Sequence, residues 1–291
     1  MSVVEQQQPP PRALGTRIKG PSALGSDFGR MLRLTWTLAV TDFKLRYFGS
    51  ALGYLWSLMQ PLLLFGVLYV VFSLGLKIGG TEKFQAVSLL SGIVMFTYIA
   101  EATSGAVRSI VVREPLVRKI EFPRIAVPLA TVLTALFNFL LNLIPVFVFL
   151  LIAGGQPLWT WFELPVIVLL LTIWLAGIAL FVSAVFVRYR DIEPIWTVVV
   201  QMLFYATPIF YPLSQIADRA GEGVAQLFMI SPFAALLQQF RHAIIDPSYM
   251  SAAEAIGGPW RLLAPLLVIA VTAVVGWIVF SRMAPKVAEE L

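Results

Sequence analysis

Long apolar stretches alternate with short charged segments along most of the chain. About 20 apolar residues in a helix cross the roughly 30 Å hydrocarbon core of a bilayer. The pattern predicts six such helices, near residues 52–76, 84–107, 125–153, 164–187, 194–212 and 262–281. The sequence therefore predicts an all-α integral membrane protein, with a six-span domain over residues 51–282.

A further apolar segment, residues 223–245, precedes the last predicted span and contains Ser231-Pro232 near its middle. A proline inside a helix breaks its hydrogen-bond ladder at a cost of about 3 kcal/mol. Hydrocarbon has no water to bind the freed backbone groups. This favours a re-entrant hairpin of two short helices over a full crossing.

The residues before the first span fall into two parts. Residues 1–21 are polar and rich in proline, which is typical of a disordered tail. Residues 22–50 place the basic residues Arg33, Lys44 and Arg46 among aromatic and aliphatic residues at three- and four-residue spacing. That pattern predicts an amphipathic helix lying in the membrane interface, which serves at the least as an anchor.

Composition excludes a water-soluble protein, because 59% of residues are hydrophobic and only 13% are charged, with a mean hydropathy of +0.85. With a cytoplasmic N-terminus and six spans, 16 of the 21 Lys and Arg residues lie on the inner side. The positive-inside rule therefore predicts that both termini, including the tail at 283–291, are cytoplasmic. The basic pI then reflects topology rather than binding to nucleic acid.

Residues for catalysis or metal binding are scarce. The chain has no cysteine, a single histidine and no phosphate-binding loop, so we expect neither an enzyme, a metal site nor a bound cofactor. Glu101 is the acid inside a predicted span, and an acid at membrane depth is a candidate functional residue. The alternative is that Glu101 pairs with Arg108 or binds neighbouring Thr and Ser side chains.

The loop at residues 108–124 carries five basic and two acidic residues around several apolar ones, with Pro115 and Pro123 in positions to start and stop a short helix. A charged helix with an apolar stripe predicts docking of another protein, and a solvated basic loop is the alternative. The candidate docking residues are Arg113, Leu116, Val117, Arg118, Lys119, Ile120, Phe122 and Arg124.

Aromatic residues are frequent in the first and fifth predicted spans. Most aromatics of a membrane bundle pack or form the interfacial belt. Those that face a cavity are suited to stack on sugar rings and so to line a path for a sliding polymer. The candidates are Tyr54, Trp56, Phe65, Tyr69, Phe72, Trp196, Phe204 and Tyr205.

Several short motifs resemble those of polysaccharide-export permeases in the type-2 ABC transporter superfamily. They are RYFGSALG at residues 46–53, followed by Trp56, then LVRKIEFPR at 116–124, RYRDI at 188–192 and Ser231-Pro232-Phe233. Together they span most of residues 30–282 in the order found in that family.

The resemblance implies a homodimer in a bacterial plasma membrane, with two copies of a separate ATP-binding subunit, which would hold ATP and Mg²⁺. It implies that residues 113–124 form a coupling helix, and that Ser231, Pro232, Phe233 and Arg241 belong to a gate near the outer face. The substrate would be a polysaccharide on a polyprenyl pyrophosphate carrier, whose head group Arg33, Lys44 and Arg46 would attract. A permease for drugs or small lipids, and a scaffold of a glycan-synthesis complex, are the alternatives.

Overall fold

The structure, a computed structural model, describes residues 28–47, 53–75, 84–117 and 122–290. The predicted disordered tail lies outside these residues. The helices are α1 Phe28–Tyr47, α2 Gly53–Leu68, α3 Gln85–Val107, α4 Ser109–Val112, α5 Glu114–Val117, α6 Ala126–Ile152, α7 Leu164–Arg188, α8 Ile192–Ala206, α9 Leu213–Ala220, α10 Glu222–Phe228, α11 Pro232–Phe240, α12 Ala252–Ala255 and α13 Leu263–Glu290. Short π or 3₁₀ segments extend four of them, at Tyr69–Gly75, Trp159–Glu163, Arg241–Ile245 and Pro259–Leu262.

Five helical segments are long and apolar enough to cross a membrane. They are Leu55–Phe72, Gln85–Val107, Ala126–Ile152, Trp159–Arg188 and Pro259–Met283. All the regular structure in the described part of the chain is helical. The prediction of an all-α integral membrane protein is thereby confirmed. The last helix continues to Glu290, so the segment predicted as a separate tail at 283–291 is largely helical.

The fifth predicted span is shorter than expected. Helix α8 has 15 residues, a rise of about 22 Å, rather than the 19 residues of the predicted 194–212. The helix ends at Ala206 because Thr207 precedes Pro208 and adopts an extended conformation. Residues beyond Thr207 carry the chain onward without helical structure as far as Pro212.

The two ends of the bundle are defined by contacts between distant parts of the chain. Met31 of α1, Ile110 of α4 and Phe280 of α13 belong to one buried cluster, and we call this side the α1 end. Gln85 at the start of α3 lines a cavity with Tyr211, which precedes α9, and we call this side the hairpin end. Both α1 and the C-terminal part of α13 therefore lie on the same side.

Helices α10 and α11 form a hairpin rather than a span. They are bent by 98° across a short break, and α10, with seven residues, rises only about 10 Å. Ala225 of α10 lines a cleft with Gly257, and the chain beyond α11 returns to the cavity of Gln85 through Met250. The chain therefore enters and leaves the α10–α11 hairpin at the hairpin end of the bundle. It follows that α8 crosses from the α1 end to the hairpin end.

The α1 helix has two apolar stripes. Met31, Thr35 and Ala39 are buried at four-residue spacing, and α1 packs on α6 along its length. Phe28, Leu32 and Trp36 are exposed on the surface. An exposed apolar stripe with basic neighbours is what an interfacial helix presents to lipid.

Helix α3 lies at the centre, between α6 and α7, and is the most buried membrane helix. On the far side of α7, α13 packs at very short range. A Cβ on Gly276 would lie 2.1 Å from the carbonyl oxygen of Gly177, and a Cβ on Gly177 would lie 2.7 Å from Cα of Ala273. The two helices touch backbone to backbone, an approach that small residues permit in membrane bundles.

Candidate functional site

Four polar side chains join α1, α3 and α6 at the α1 end. Arg46 Nη1 of α1 donates to Glu101 Oε1 of α3 over 2.9 Å, and Asn138 Nδ2 of α6 donates to Glu101 Oε2 over 3.0 Å. The Tyr47 hydroxyl donates to Asn138 Oδ1 over 2.5 Å. One half-buried carboxylate thus receives a hydrogen bond from each of the two neighbouring helices, and we call these four residues the Glu101 network.

The alternative in which Glu101 pairs with Arg108 is not what the structure shows, because Glu101 pairs with Arg46. Arg108 lies seven residues further, about 10 Å along the helix axis, just beyond the end of α3. Its guanidinium instead pairs with the carboxylate of Glu193 in the first turn of α8, at 2.7 Å. The end of α3 is therefore tied to α8 as well as to α1.

A second ion pair joins α1 to the segment after α3. Arg113 Nη2, between α4 and α5, binds Asp42 Oδ2 of α1, and both side chains are largely buried. A cleft of about 260 Å³ is lined by five charged residues of these interactions, Asp42, Arg46, Glu101, Arg108 and Arg113. Each arginine of this cleft is matched by a carboxylate, so its charges connect helices rather than form an anion site.

The residues predicted to dock another protein are divided by the structure. Leu116 is half-buried in α5 and the backbone of Val117 completes that helix, while Arg118, Lys119 and Ile120 lie outside the described residues. Phe122 packs against the buried cluster of the α1 end. The sequence reading missed Val112, whose side chain is 73% exposed on α4.

Arg124 also faces inward. Its side chain is 2% exposed, and desolvation lowers its pKa from the ordinary arginine value. A guanidinium so enclosed is not available as a docking residue in the single chain. Among the described residues of this segment, Val112 of α4 and Pro115 of α5 are exposed.

The predicted aromatic lining is likewise divided between core and surface. Trp56 of α2 and Tyr205 of α8 are 57% and 66% exposed, and the side chain of Tyr54 is outside the described part. The others pack against neighbours, and Phe72 also lines a cleft with Phe210 and Tyr211. Phe65 is buried against Phe149, Tyr69 packs beside Phe65, Phe72 and Phe204 contact Phe210, and Trp196 is half-buried.

Helix α8 exposes a polar stripe that the sequence reading missed. Glu193, Thr197, Gln201 and Tyr205 follow each other at four-residue spacing, which places them on one face. Thr197, Gln201 and Tyr205 are exposed, and Val200 is the buried residue of the helix. A glutamine in the middle of an apolar membrane helix is costly against lipid, so this face is suited to water, to substrate or to a second protein.

The predicted gate residues lie within the hairpin. Ser231 precedes α11, Pro232 opens it, and Pro232 and Phe233 are buried. Arg241 is 4% exposed and its Nη2 donates to the carbonyl oxygen of Ile209 over 2.8 Å. Arg241 therefore ties the π-helical end of the hairpin to the chain that follows α8.

The remaining candidate residues lie on α1. Arg33 and Lys44 are exposed, and Arg46 pairs with Glu101. Within the described ranges there is no group of three or more His, Cys, Asp or Glu side chains placed to hold a metal ion.

Comparison with known proteins places these features in a family. Residues 33–245 match the model of the ABC-2 type transporter family. An O-antigen export system permease protein RfbA from Klebsiella pneumoniae is 24% identical over 270 residues, which cover 91% of this chain and 97% of that protein. The RfbA protein from Myxococcus xanthus is 30% identical over 228 residues, which cover 76% of this chain and 85% of that protein.

Proposed function

The chain belongs to the ABC-2 type transporter family, and from this premise we propose that it is the permease subunit of a polysaccharide exporter. It is a multi-pass membrane subunit and not an enzyme, since ATP hydrolysis in this family lies with a separate ATP-binding subunit. Its relatives are named as O-antigen export permeases, which supports a glycan as the transported substrate.

The observation that most supports this proposal is the polar stripe of α8. In a single chain Thr197, Gln201 and Tyr205 lie exposed on a surface that would otherwise contact lipid, and Trp56 of α2 is exposed as well. Pairing two copies of the permease across this face would remove Thr197 and Gln201 from hydrocarbon. It would also enclose a path between the two copies. Hydroxyl and amide groups bind sugar hydroxyls, and the exposed rings of Trp56 and Tyr205 offer stacking surfaces.

The substrate in this proposal is a polysaccharide on a polyprenyl pyrophosphate carrier, moved from the cytoplasmic side across the plasma membrane. The α1 end is the cytoplasmic side, with both termini there. Arg33 and Lys44 are exposed on α1 and would attract the pyrophosphate at the inner leaflet. Arg46 takes a structural part instead, because it is paired with Glu101.

Two copies of the ATP-binding subunit would dock at the α1 end and supply ATP and Mg²⁺. Movement of α4 and α5, driven by the docked subunit, would be transmitted to α1 through the ion pair of Asp42 with Arg113. Arg108 transmits movement at the end of α3 to α8 through Glu193, and Glu101 transmits it to α1 and α6. Rigid movement of α8 with α3 would then change the width of the path at the dimer seam.

The docking role is tested by charging two apolar side chains of the coupling segment, the exposed Val112 and the half-buried Leu116. Val112→Asp combined with Leu116→Asp is expected to lower export by about 10-fold, because charge opposed to an apolar contact weakens an interface by this order. Basal ATP hydrolysis by the separate subunit should persist. Surface glycan is measured in cells, and ATP hydrolysis is measured in proteoliposomes.

The matched control is Val224→Asp, which charges a partly exposed valine at the hairpin end. It should leave export near the wild-type level. Unchanged export in the double variant, at equal permease abundance, would contradict the docking role of α4 and α5.

A further inference from the structure

A narrow apolar crevice opens between α7, α11 and α13 in the half of the bundle nearest the hairpin end. Its volume is about 250 Å³, and aliphatic side chains form most of its walls. Val166 and Leu170 come from α7, Leu236 from α11, and Leu266 and Ile269 from α13. The site lies outside the Glu101 network and the polar stripe.

The packing of the three helices explains why the crevice faces lipid. Helices α7 and α13 touch at Gly177 and Gly276, and α11 contacts both of them nearer the hairpin end. Val166, Leu263 and Leu267 beside the opening are more than half exposed. Membrane helices with apolar flanks open towards hydrocarbon, so the molecule that enters this crevice is a lipid chain.

A carboxylate is fixed at the hairpin end of the crevice. Gln239 Nε2 of α11 donates to Glu163 Oε2 over 2.6 Å, and Gln239 Oε1 accepts the backbone N–H of Ala252 over 3.0 Å. The turn that carries Glu163 is itself held to the hairpin, since Trp161 Nε1 donates to the carbonyl oxygen of Ile244 over 3.0 Å. The amide of Gln239 thus aligns the acid and leaves its charge in place.

No cation in the described part of the chain neutralises this acid. The ion pairs of Glu101, Glu193 and Asp42 with their arginines do not include Glu163. Arg261, close to the first turn of α13, donates from Nη1 to Gln226 Oε1 over 2.6 Å. A half-buried carboxylate at the end of a hydrocarbon slot therefore has room for a cationic donor.

We propose that this crevice binds a phospholipid with a primary ammonium head group. One acyl chain lies in the slot between α7, α11 and α13, and the ammonium donates to the carboxylate of Glu163. A charge-assisted bond of this kind favours an ammonium with N–H donors over a quaternary ammonium that has none. An anionic head group is disfavoured by the charge of Glu163. The inference does not depend on the identity of the exported substrate.

The test is native mass spectrometry of the full-length permease with equal amounts of dioleoyl phosphatidylethanolamine, phosphatidylcholine and phosphatidylglycerol. The wild type is expected to retain phosphatidylethanolamine about 10-fold over phosphatidylcholine, as a partly buried charge-assisted bond provides. Glu163→Gln keeps the size of the side chain and should make retention of the two lipids equal. Glu222→Gln, which removes an acid elsewhere at the hairpin end, should keep the preference.

A second variant tests the slot itself. Ala235→Phe places a ring among the crevice walls and should reduce retention of all three lipids by a similar factor, with the melting temperature checked separately. The proposal is overturned if Glu163→Gln retains the wild-type preference, or if the wild type prefers phosphatidylglycerol. A photo-crosslinker at Leu266 that joins two permease copies, instead of lipid, overturns it as well.

Discussion

Replacing Gly276 with alanine is expected to reduce the amount of folded permease by at least about 10-fold. Overpacking commonly lowers the free energy of unfolding by about 1–3 kcal/mol, and by more where the added atom would overlap with backbone. The new Cβ would lie 2.1 Å from the carbonyl oxygen of Gly177 and 2.8 Å from its carbonyl carbon. Those atoms belong to the facing helix backbone and are unable to rotate aside as a side chain does. Helices α7 and α13 must therefore separate along their main contact. Size-exclusion chromatography of the solubilised protein measures the effect.

Gly66→Ala is the matched control, since it makes the same substitution in another membrane helix. A Cβ on Gly66 meets no atom within 4 Å, and alanine has the higher helix propensity. This variant should be recovered at the wild-type level or above. Equal recovery of the two variants would show that the close contact of α7 and α13 is not needed for the stability of the fold.

Exchanging the charges of Asp42 and Arg113 tests the connection between α1 and the coupling segment. Arg113→Asp places two carboxylates opposite each other, and Asp42→Arg places two guanidiniums opposite each other. Each single variant is expected to lower export by about 10-fold, since an unpaired charge in a largely buried pair is destabilising. The double variant Asp42→Arg with Arg113→Asp restores opposite charges and should recover most of the export.

The readout is the ratio of export to ATP hydrolysis at equal permease abundance, analysed as a double-mutant cycle. A loss of coupling in both single variants with recovery in the double variant supports a mechanical link. Additive losses in the double variant would mean that the two residues act separately, and the proposed path from α4 to α1 would fail.

The sequence located most of the membrane helices, because a long uncharged apolar stretch indicates a span. Helix α6 begins and ends within one residue of its predicted bounds, 125–153. The fifth span was predicted too long because the uncharged run continues past Pro208, where the preceding residue is already extended. Pro208 therefore determines the end of α8 although the uncharged run continues beyond it.

The connections between helices were not predictable from the sequence. Glu101 was recognised as unusual, but its partners Arg46 and Asn138 are 55 and 37 residues away, and no local spacing links them. Asn138 carried a signal of its own, because an amide within an apolar span needs a partner. The same signal was present at Gln201.

The aromatic residues show a different limit. A helix with apolar residues on every side gives no sign of which face meets the core, so Phe65 and Trp56 were equally eligible. Packing makes Phe65 a core residue and leaves Trp56 on the surface. Assignment of lining residues therefore required the neighbours as well as the pattern.

The central claim is that the polar face of α8 contacts the exported glycan, and photo-crosslinking tests it most directly. A photoreactive residue is placed at position 201, or at position 275 on the exposed face of α13 as control. Each permease is reconstituted with its ATP-binding subunit and a radiolabelled lipid-linked glycan. We predict an ATP-dependent glycan adduct at 201 and only background at 275. Equal labelling at both positions, or capture of membrane lipid alone at 201, would contradict the claim.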